Sequence, residues 1–457
     1  MTLSGNSGEV SDDTFIDWRG HIFNDKYIAI KKIGYGACSS VWMAFDTYAT
    51  KCVAIKIFNC DDYSSGEYEI KFLRKINSIY SQYTVKYYTH FDKETDVGTH
   101  LCIVLELLKS SLYTYRKTNQ MTLHEIQLIT KQILEFITQL NRAKLIHTDI
   151  KPENILINEE CEDAVKLTNF AKSSKFANIL LNKKKELLKN KKHNIKNISI
   201  IATRDVLLKE YDEQINIDDI NCDSDSGSGS GSGSDSDSSL EPKNSKYLFD
   251  RNILSDNSSA SSRSSSRSSS RSGSQSGSKK IFNILEKKNI NIKNIKITDF
   301  NTCLEYSNPD YQIQTRYYRA PEIIVESNFS EKLDIWSLGC MLYELLTGEI
   351  FINPDNIKDF SEDRYHIYLI YQKIKTIDNQ FWNQAKNKYI YLDKNNMLRG
   401  LKEFKSEPFW ECLIKKYGES KELLLFIDFL LDCLEPYPKD RKGALNLLSH
   451  PFISCNF

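Results

Sequence analysis

From Tyr27 onward the chain sets apolar, β-branched and aromatic residues in short runs, YIAIKKIG, SVWMAF and CVAIKIF, separated by turn-like stretches. That pattern predicts an antiparallel sheet. A helix is predicted from about Ser65 to Ile76, and strand-like sequence then returns as far as Leu108. Leu123 to Ala143 carries Ile126, Leu128, Ile129, Ile133, Leu134, Phe136, Ile137 and Leu140 at helical spacing, which predicts a long buried helix. Beyond that helix the chain reads as mostly helical. The expected fold class is therefore α+β, with a small β-rich unit ahead of a larger, mostly helical one.

This periodicity is interrupted from Lys172 to Asn291 by three blocks of biased composition. The first is basic (NKKKELLKNKKHNIKN, from Asn182), the second acidic and rich in Gly and Ser (CDSDSGSGSGSGSDSDSS, from Cys222), and the third is SSRSSSRSSSRSGSQSGS, from Ser261. None offers enough apolar surface to offset the entropy of ordering it, so the segment is expected to be a disordered insert. The organisation expected is a disordered leader over 1–21, a small lobe over 22–110, a larger lobe in two parts over 111–171 and 292–457, and the insert over 172–291 between them.

Lys plus Arg and Asp plus Glu number 61 each in 457 residues, so no overall field points to nucleic acid or a membrane as direct partner. The 11 cysteines form no CxxC pair, a usage that suits reduced thiols. The start MTLSGNSGEVSDD is polar and acidic, unlike a secretory leader, and no apolar run has the length of a membrane span. These features together read as a soluble intracellular protein, with a monomer as the default.

The chemistry concentrates in His147-Thr148-Asp149-Ile150-Lys151-Pro152-Glu153-Asn154. Asp149 suits a general base for a hydroxyl, Asn154 offers an amide oxygen to a metal ion, and Lys151 can neutralise charge on a transferring phosphoryl group. Gly34-Tyr35-Gly36, followed by Val41, suits a loop whose backbone amides approach phosphates, although Ser39 stands where a third glycine is usual. Val53-Ala54-Ile55-Lys56 supplies a strand lysine, and Glu69 on the next helix can pair with it, with Glu67 close enough to compete. Two similar runs compete for the metal, Lys166-Leu167-Thr168-Asn169-Phe170-Ala171 and Lys296-Ile297-Thr298-Asp299-Phe300-Asn301. Only the second carries a carboxylate, which hard divalent ions prefer, so Asp299 is assigned the metal. Asn301 replaces the glycine expected after Asp-Phe, and sequence leaves open whether it stiffens the turn or impairs the site. Thr315, ahead of Arg316-Tyr317-Tyr318-Arg319-Ala320-Pro321-Glu322, can bridge Asp149 and Lys151, Glu322 is expected to pair with Arg441, and Asp334 to anchor the catalytic loop.

These residues resemble those of the eukaryotic protein kinases, and within them HTDIKPENIL, GHIFNDKYIAIKKIGYGACSSVW, ETDVGTHLCIVLELL and QIQTRYYR resemble the SR-protein kinases. DFSEDRYHIYLI and FIDFLLDCLEPYPKDRKGALNLLSHPF agree, and the resemblance covers roughly 22–170 and 292–457. It implies a two-lobed kinase fold split by a spacer, ATP and Mg²⁺ as cofactors, and phosphorylation of serines in arginine-serine-rich proteins such as splicing factors. It implies a nucleotide site of Ile33, Gly34, Gly36, Val41, Ala54, Lys56, Glu69, Glu106 and Leu108, metal ligands Asn154 and Asp299, and catalytic Asp149, Lys151 and Thr315. Cytoplasmic and nuclear residence is expected.

Thr148 stands where kinases activated by a loop phosphate have arginine, which predicts activity without such phosphorylation. The family's docking groove is acidic, but Tyr365 and Gln372 occupy two positions where carboxylates are expected, leaving Asp359, Glu362 and Asp363, for which a solvated loop face is an equal alternative. The spacer's RSSSRSSSRS tract can be read as a cis substrate or tethered competitor, or as a neutral linker. The alternatives to the leading reading are a proline-directed or dual-specificity kinase and a pseudokinase acting as a binding module.

Overall fold

The computed structural model describes residues 16–79, 82–189, 197–222, 294–306, 313–354, 361–375, 377, 379–399 and 405–455. The rest of the leader, the acidic and arginine-serine blocks of the insert, and Asp359 lie outside the described residues.

Strands β1 (Ile22–Phe23), β2 (Tyr27–Tyr35), β3 (Ser39–Asp46), β4 (Lys51–Phe58), β5 (Tyr87–Thr95) and β6 (Gly98–Leu105) form one antiparallel sheet in the order β1-β2-β3-β4-β6-β5. β3 and β4 are buried on both faces and sit at its centre, so their runs are almost continuously apolar rather than alternating. Helix α1 (Tyr63–Ile79) packs across one face, burying Ile70, Phe72, Leu73 and Ile76. Gly66 sets how close it comes: a Cβ there would lie 2.6 Å from Leu101 and 2.9 Å from Phe58.

The larger lobe begins with α2 (Leu112–Thr118) and α3 (Leu123–Arg142). A capping box between Thr122 and Glu125 starts α3, and its apolar stripe is buried as the spacing predicts. Short strands β7 (Leu145–Ile146) and β8 (Ile155–Ile157) flank the catalytic loop. The insert departs from expectation over its first part. Helix α4 (Glu162–Ala171) closes the segment expected to be folded, and helices α5 (Ser174–Lys189) and α6 (Ile198–Cys222) are folded where a disordered segment is predicted from Lys172. Leu167, Phe170, Val206, Leu207 and Tyr211 bury themselves against Ile28, Ile30, Met43 and Phe45 of the small-lobe sheet, while Leu187 packs on Ile198 and Ala202. The lysines that dominate the composition occupy the outer faces, so net polarity conceals an amphipathic pattern with a distant partner.

Strand β9 (Ile295–Ile297) returns to pair with β8, and β10 (Leu304–Glu305) pairs with β7. Helices α7 (Pro321–Ile324), α8 (Leu333–Thr347) and α9 (Glu362–Lys373) come next. α8 is buried nearly all round, and with the helix at Lys421–Cys433 it forms the centre of the core. The α+β, two-lobed class expected from the sequence is the one observed.

Candidate active site

The site lies between the lobes, and its parts are fixed by strands and by buried anchors. Lys56 projects from β4 with Nζ 2.7 Å from Glu69 Oε2 on α1 and 2.7 Å from Asp299 Oδ1 just past β9. Glu69 is fully buried and makes this pair, whereas Glu67 is exposed. Burial pulls the Lys56 ammonium down, but Asp299 and Glu69 outweigh it and hold the group charged beyond its ordinary range. Burial raises the Glu69 carboxyl, with Lys56 opposing. The Asp299 carboxyl is raised by burial and pulled down further by Lys56, ending below its usual value. The outcome is a charged lysine and an ionised Asp299 on the same cleft wall.

Asn169 is placed far from this chemistry, within α4, whose Leu167 and Phe170 pack on the small-lobe sheet. Asp299 adopts φ 69°, a left-handed conformation rare for a non-glycine residue, while Asn301 lies outside that region. The position that replaces the usual glycine therefore does not demand glycine's backbone freedom here.

The catalytic loop hangs from Asp334, whose buried carboxylate accepts from the backbone amides of His147 and Thr148, each at 2.8 Å. Asn154 Nδ2 donates to both Oδ2 and the carbonyl of Asp149, each at 2.9 Å. With its amide nitrogen so engaged, Asn154 keeps Oδ1 for a cation. Lys151 Nζ is 2.7 Å from Asp149 Oδ2. Thr315 Oγ1 donates to Asp149 Oδ1 at 2.6 Å and accepts from Lys151 Nζ at 2.9 Å, so threonine, base and lysine form one closed network. Glu322 and Arg441, both buried, meet in a two-pronged pair at 2.7 and 2.9 Å that props the activation segment.

On the nucleotide side Gly34 pairs with Val41 across the β2–β3 hairpin, and the Gly36 amide donates to Ser39 O at 2.8 Å. A Cβ on Gly36 would meet nothing within 4 Å, so internal packing does not require glycine there. Ala54 is buried, Val41 and Leu108 are half-buried, and Ile33 is exposed at the hairpin mouth. Glu106 takes a different part from a direct nucleotide contact: Oε1 accepts from the Lys86 amide and from Lys296 Nζ, each at 2.5 Å, which ties the interlobe link to β9. Its amide donates to Lys86 O at 2.9 Å, so its carbonyl is what remains for a base. The donor set, an ionised carboxylate and an amide oxygen facing a buried lysine, fits Mg²⁺ with a nucleotide polyphosphate.

Two residues that sequence reasoning passes over act on this arrangement. Tyr68 Oη donates to the Cys303 carbonyl at 2.9 Å, and Lys296 holds Glu106. Sequence gives little sign of the first, because its acceptor is a backbone atom remote in the chain. Of the expected docking acids, Glu362 and Asp363 are engaged by Arg316, at 3.0 and 2.5 Å respectively. Tyr365 and Tyr368 stack beside them with ring centroids 5.9 Å apart.

The sequence profile of the protein kinase domain matches residues 27–189 and 280–453. SRSF protein kinase 3 of Homo sapiens is 27% identical over 499 residues, spanning 95% of this chain and 87% of the human one. The serine/threonine-protein kinase SRPK of Physarum polycephalum is 25% identical over 450 residues, again 95% of this chain and 87% of its own. A solved kinase-domain crystal structure superposes with TM-score 0.59 at 20% identity, over 96% of this chain and 99% of that one, a likeness of fold. With this sequence match laid over the network around Lys56 and Asp149, the chain belongs to the protein kinase family, as a serine/threonine protein kinase with SR-protein kinases among its relatives.

Proposed function

We propose that the protein transfers phosphate from ATP to serines in arginine-serine-rich proteins such as splicing factors, and that it does so without activation-loop phosphorylation. The observation that carries the reading is the Asp149–Thr315–Lys151 network, which fixes the carboxylate of Asp149 and sets the Lys151 ammonium beside it. ATP with Mg²⁺, when bound, supplies the phosphoryl group and its counter-charge. Lys56 holds phosphate oxygens, Asn154 and Asp299 hold the metal, Asp149 takes the hydroxyl proton, and Lys151 offsets charge on the moving group. The substrate class is supported by the names of the relatives and by the HTDIKPENIL and QIQTRYYR motifs. The protein is read as a monomer working in cytoplasm and nucleus, with no direct nucleic-acid or membrane partner.

The test is transfer from ATP-Mg²⁺ by dephosphorylated protein to an arginine-serine repeat peptide, beside a Ser-Pro peptide and Asp149→Ala. Transfer to the repeat that vanishes in the variant supports the reading. Preference for Ser-Pro moves the substrate class to the proline-directed alternative, and nucleotide binding without any transfer moves it to a pseudokinase.

A further inference from the structure

We propose that Tyr68 is a positioning residue for phosphoryl transfer, its hydroxyl tying the helix that carries Glu69 to the turn that carries Asp299. Tyr68 immediately precedes Glu69 on α1, and its ring packs on Phe72 with centroids 4.8 Å apart, which fixes its direction. Its hydroxyl donates to the carbonyl of Cys303 at 2.9 Å, and Cys303 is fully buried. The Cys303 amide in turn donates to Phe300 O at 3.2 Å, closing the turn that starts at Asp299. The neighbouring carbonyl, Thr302 O, is held from the other lobe by Thr148 Oγ1 at 2.7 Å. Two adjacent peptide carbonyls are thus clamped, one from each lobe.

The geometry makes this tie distinct from the Lys56 bridge. Glu69 and Asp299 share a single ammonium, and phosphate oxygens compete for that ammonium when nucleotide enters. The Tyr68 contact uses no ammonium and ends on a backbone carbonyl, so it ties α1 to the turn after Asp299 independently of Lys56. Without the hydroxyl, the Cys303 carbonyl loses its side-chain donor, and α1 is free to move relative to the turn.

The test is Tyr68→Phe, which keeps the ring and removes only the donor. It is read with whichever acceptor the wild type phosphorylates, so that it does not depend on the arginine-serine assignment. The expected result is a kcat lower by about 10-fold with the acceptor KM within about 2-fold, the size of one lost buried hydrogen bond. In protein free of nucleotide, hydrogen exchange at the Cys303 and Leu304 amides should accelerate, while the melting temperature falls by no more than the few degrees that one lost hydrogen bond costs. Lys75→Gln, which removes the exposed contact of the same helix with Glu305, should leave kcat unchanged. Wild-type kcat and exchange in Tyr68→Phe would overturn the proposal, as would a kcat loss fully accounted for by protein unfolded at the assay temperature.

Discussion

Thr148 stands at φ 69° in the catalytic loop, fully buried, and its hydroxyl donates to the carbonyl of Thr302 at 2.7 Å. A residue that in phosphate-switched kinases would receive a phosphate here reaches the start of the activation segment by itself. Thr148→Val keeps the shape and removes the donor. We expect kcat to fall by about 10-fold, with phosphatase treatment leaving the wild type's rate unchanged. Steady-state kinetics before and after phosphatase decides it, and a dephosphorylated wild type that is inert would overturn the reading.

Glu322 and Arg441 form a pair with neither side chain exposed, so removing one partner strands the other's charge. Arg441→Met is expected to cost about 3–5 kcal/mol, whereas Glu322→Leu together with Arg441→Met should recover most of that loss. Chemical denaturation of the three proteins gives the comparison. Equal stability of the single and double variants would show that the stranded charge is not the cause.

Range along the chain decides which contacts are legible in the sequence and which are hidden. The contact of Lys56 with Glu69 is readable as far as a glutamate on the helix after the strand lysine, with Glu67 left in competition until burial on α1 selects Glu69. Asp299 is preferred to Asn169 on its charge and on its spacing to Glu322, and the folded α4 then shows where the decoy run goes. The helices α5 and α6 are not legible, because lysines swamp the composition and the stripe of Val206, Leu207 and Tyr211 is completed only by β2 and β3. Arg316 meeting Glu362 and Asp363 is likewise a tertiary event, invisible to a reading of local acidity.

His366 offers a pH test. It is fully buried with no hydrogen-bond partner on either ring nitrogen among the described residues, and burial, then Arg316 and Arg319, hold its pKa well below the usual value. The folded protein keeps it neutral while the unfolded chain protonates it near its ordinary value, so its contribution is present above about pH 6.5 and is lost as pH falls below that. The slope added there approaches about 1.4 kcal/mol per pH unit. Urea midpoints at pH 7.5 and 5.5 should draw apart in the wild type more than in His366→Leu, and identical separations would remove His366 from the account.

The docking surface gives the last expectation. Glu362 and Asp363 are committed to Arg316, and Tyr365 stands where the resemblance leads one to expect a carboxylate, so an arginine-rich peptide meets little unpaired negative charge on the described part of α9. Tyr365→Glu supplies one charge at a half-buried position without touching the Asp149 network. An added surface pair is worth about 0.2–1 kcal/mol, so KM for an arginine-serine repeat should fall by about 1.4- to 5-fold at low salt with kcat unchanged. The gain should shrink as ionic strength rises, because a contact of this kind is screened over about 8–10 Å. A peptide with its arginines replaced by glutamine should show no gain. If Tyr365→Glu leaves KM unchanged at every salt concentration, arginine-rich acceptors do not pass over this helix, and their binding must be sought on another surface.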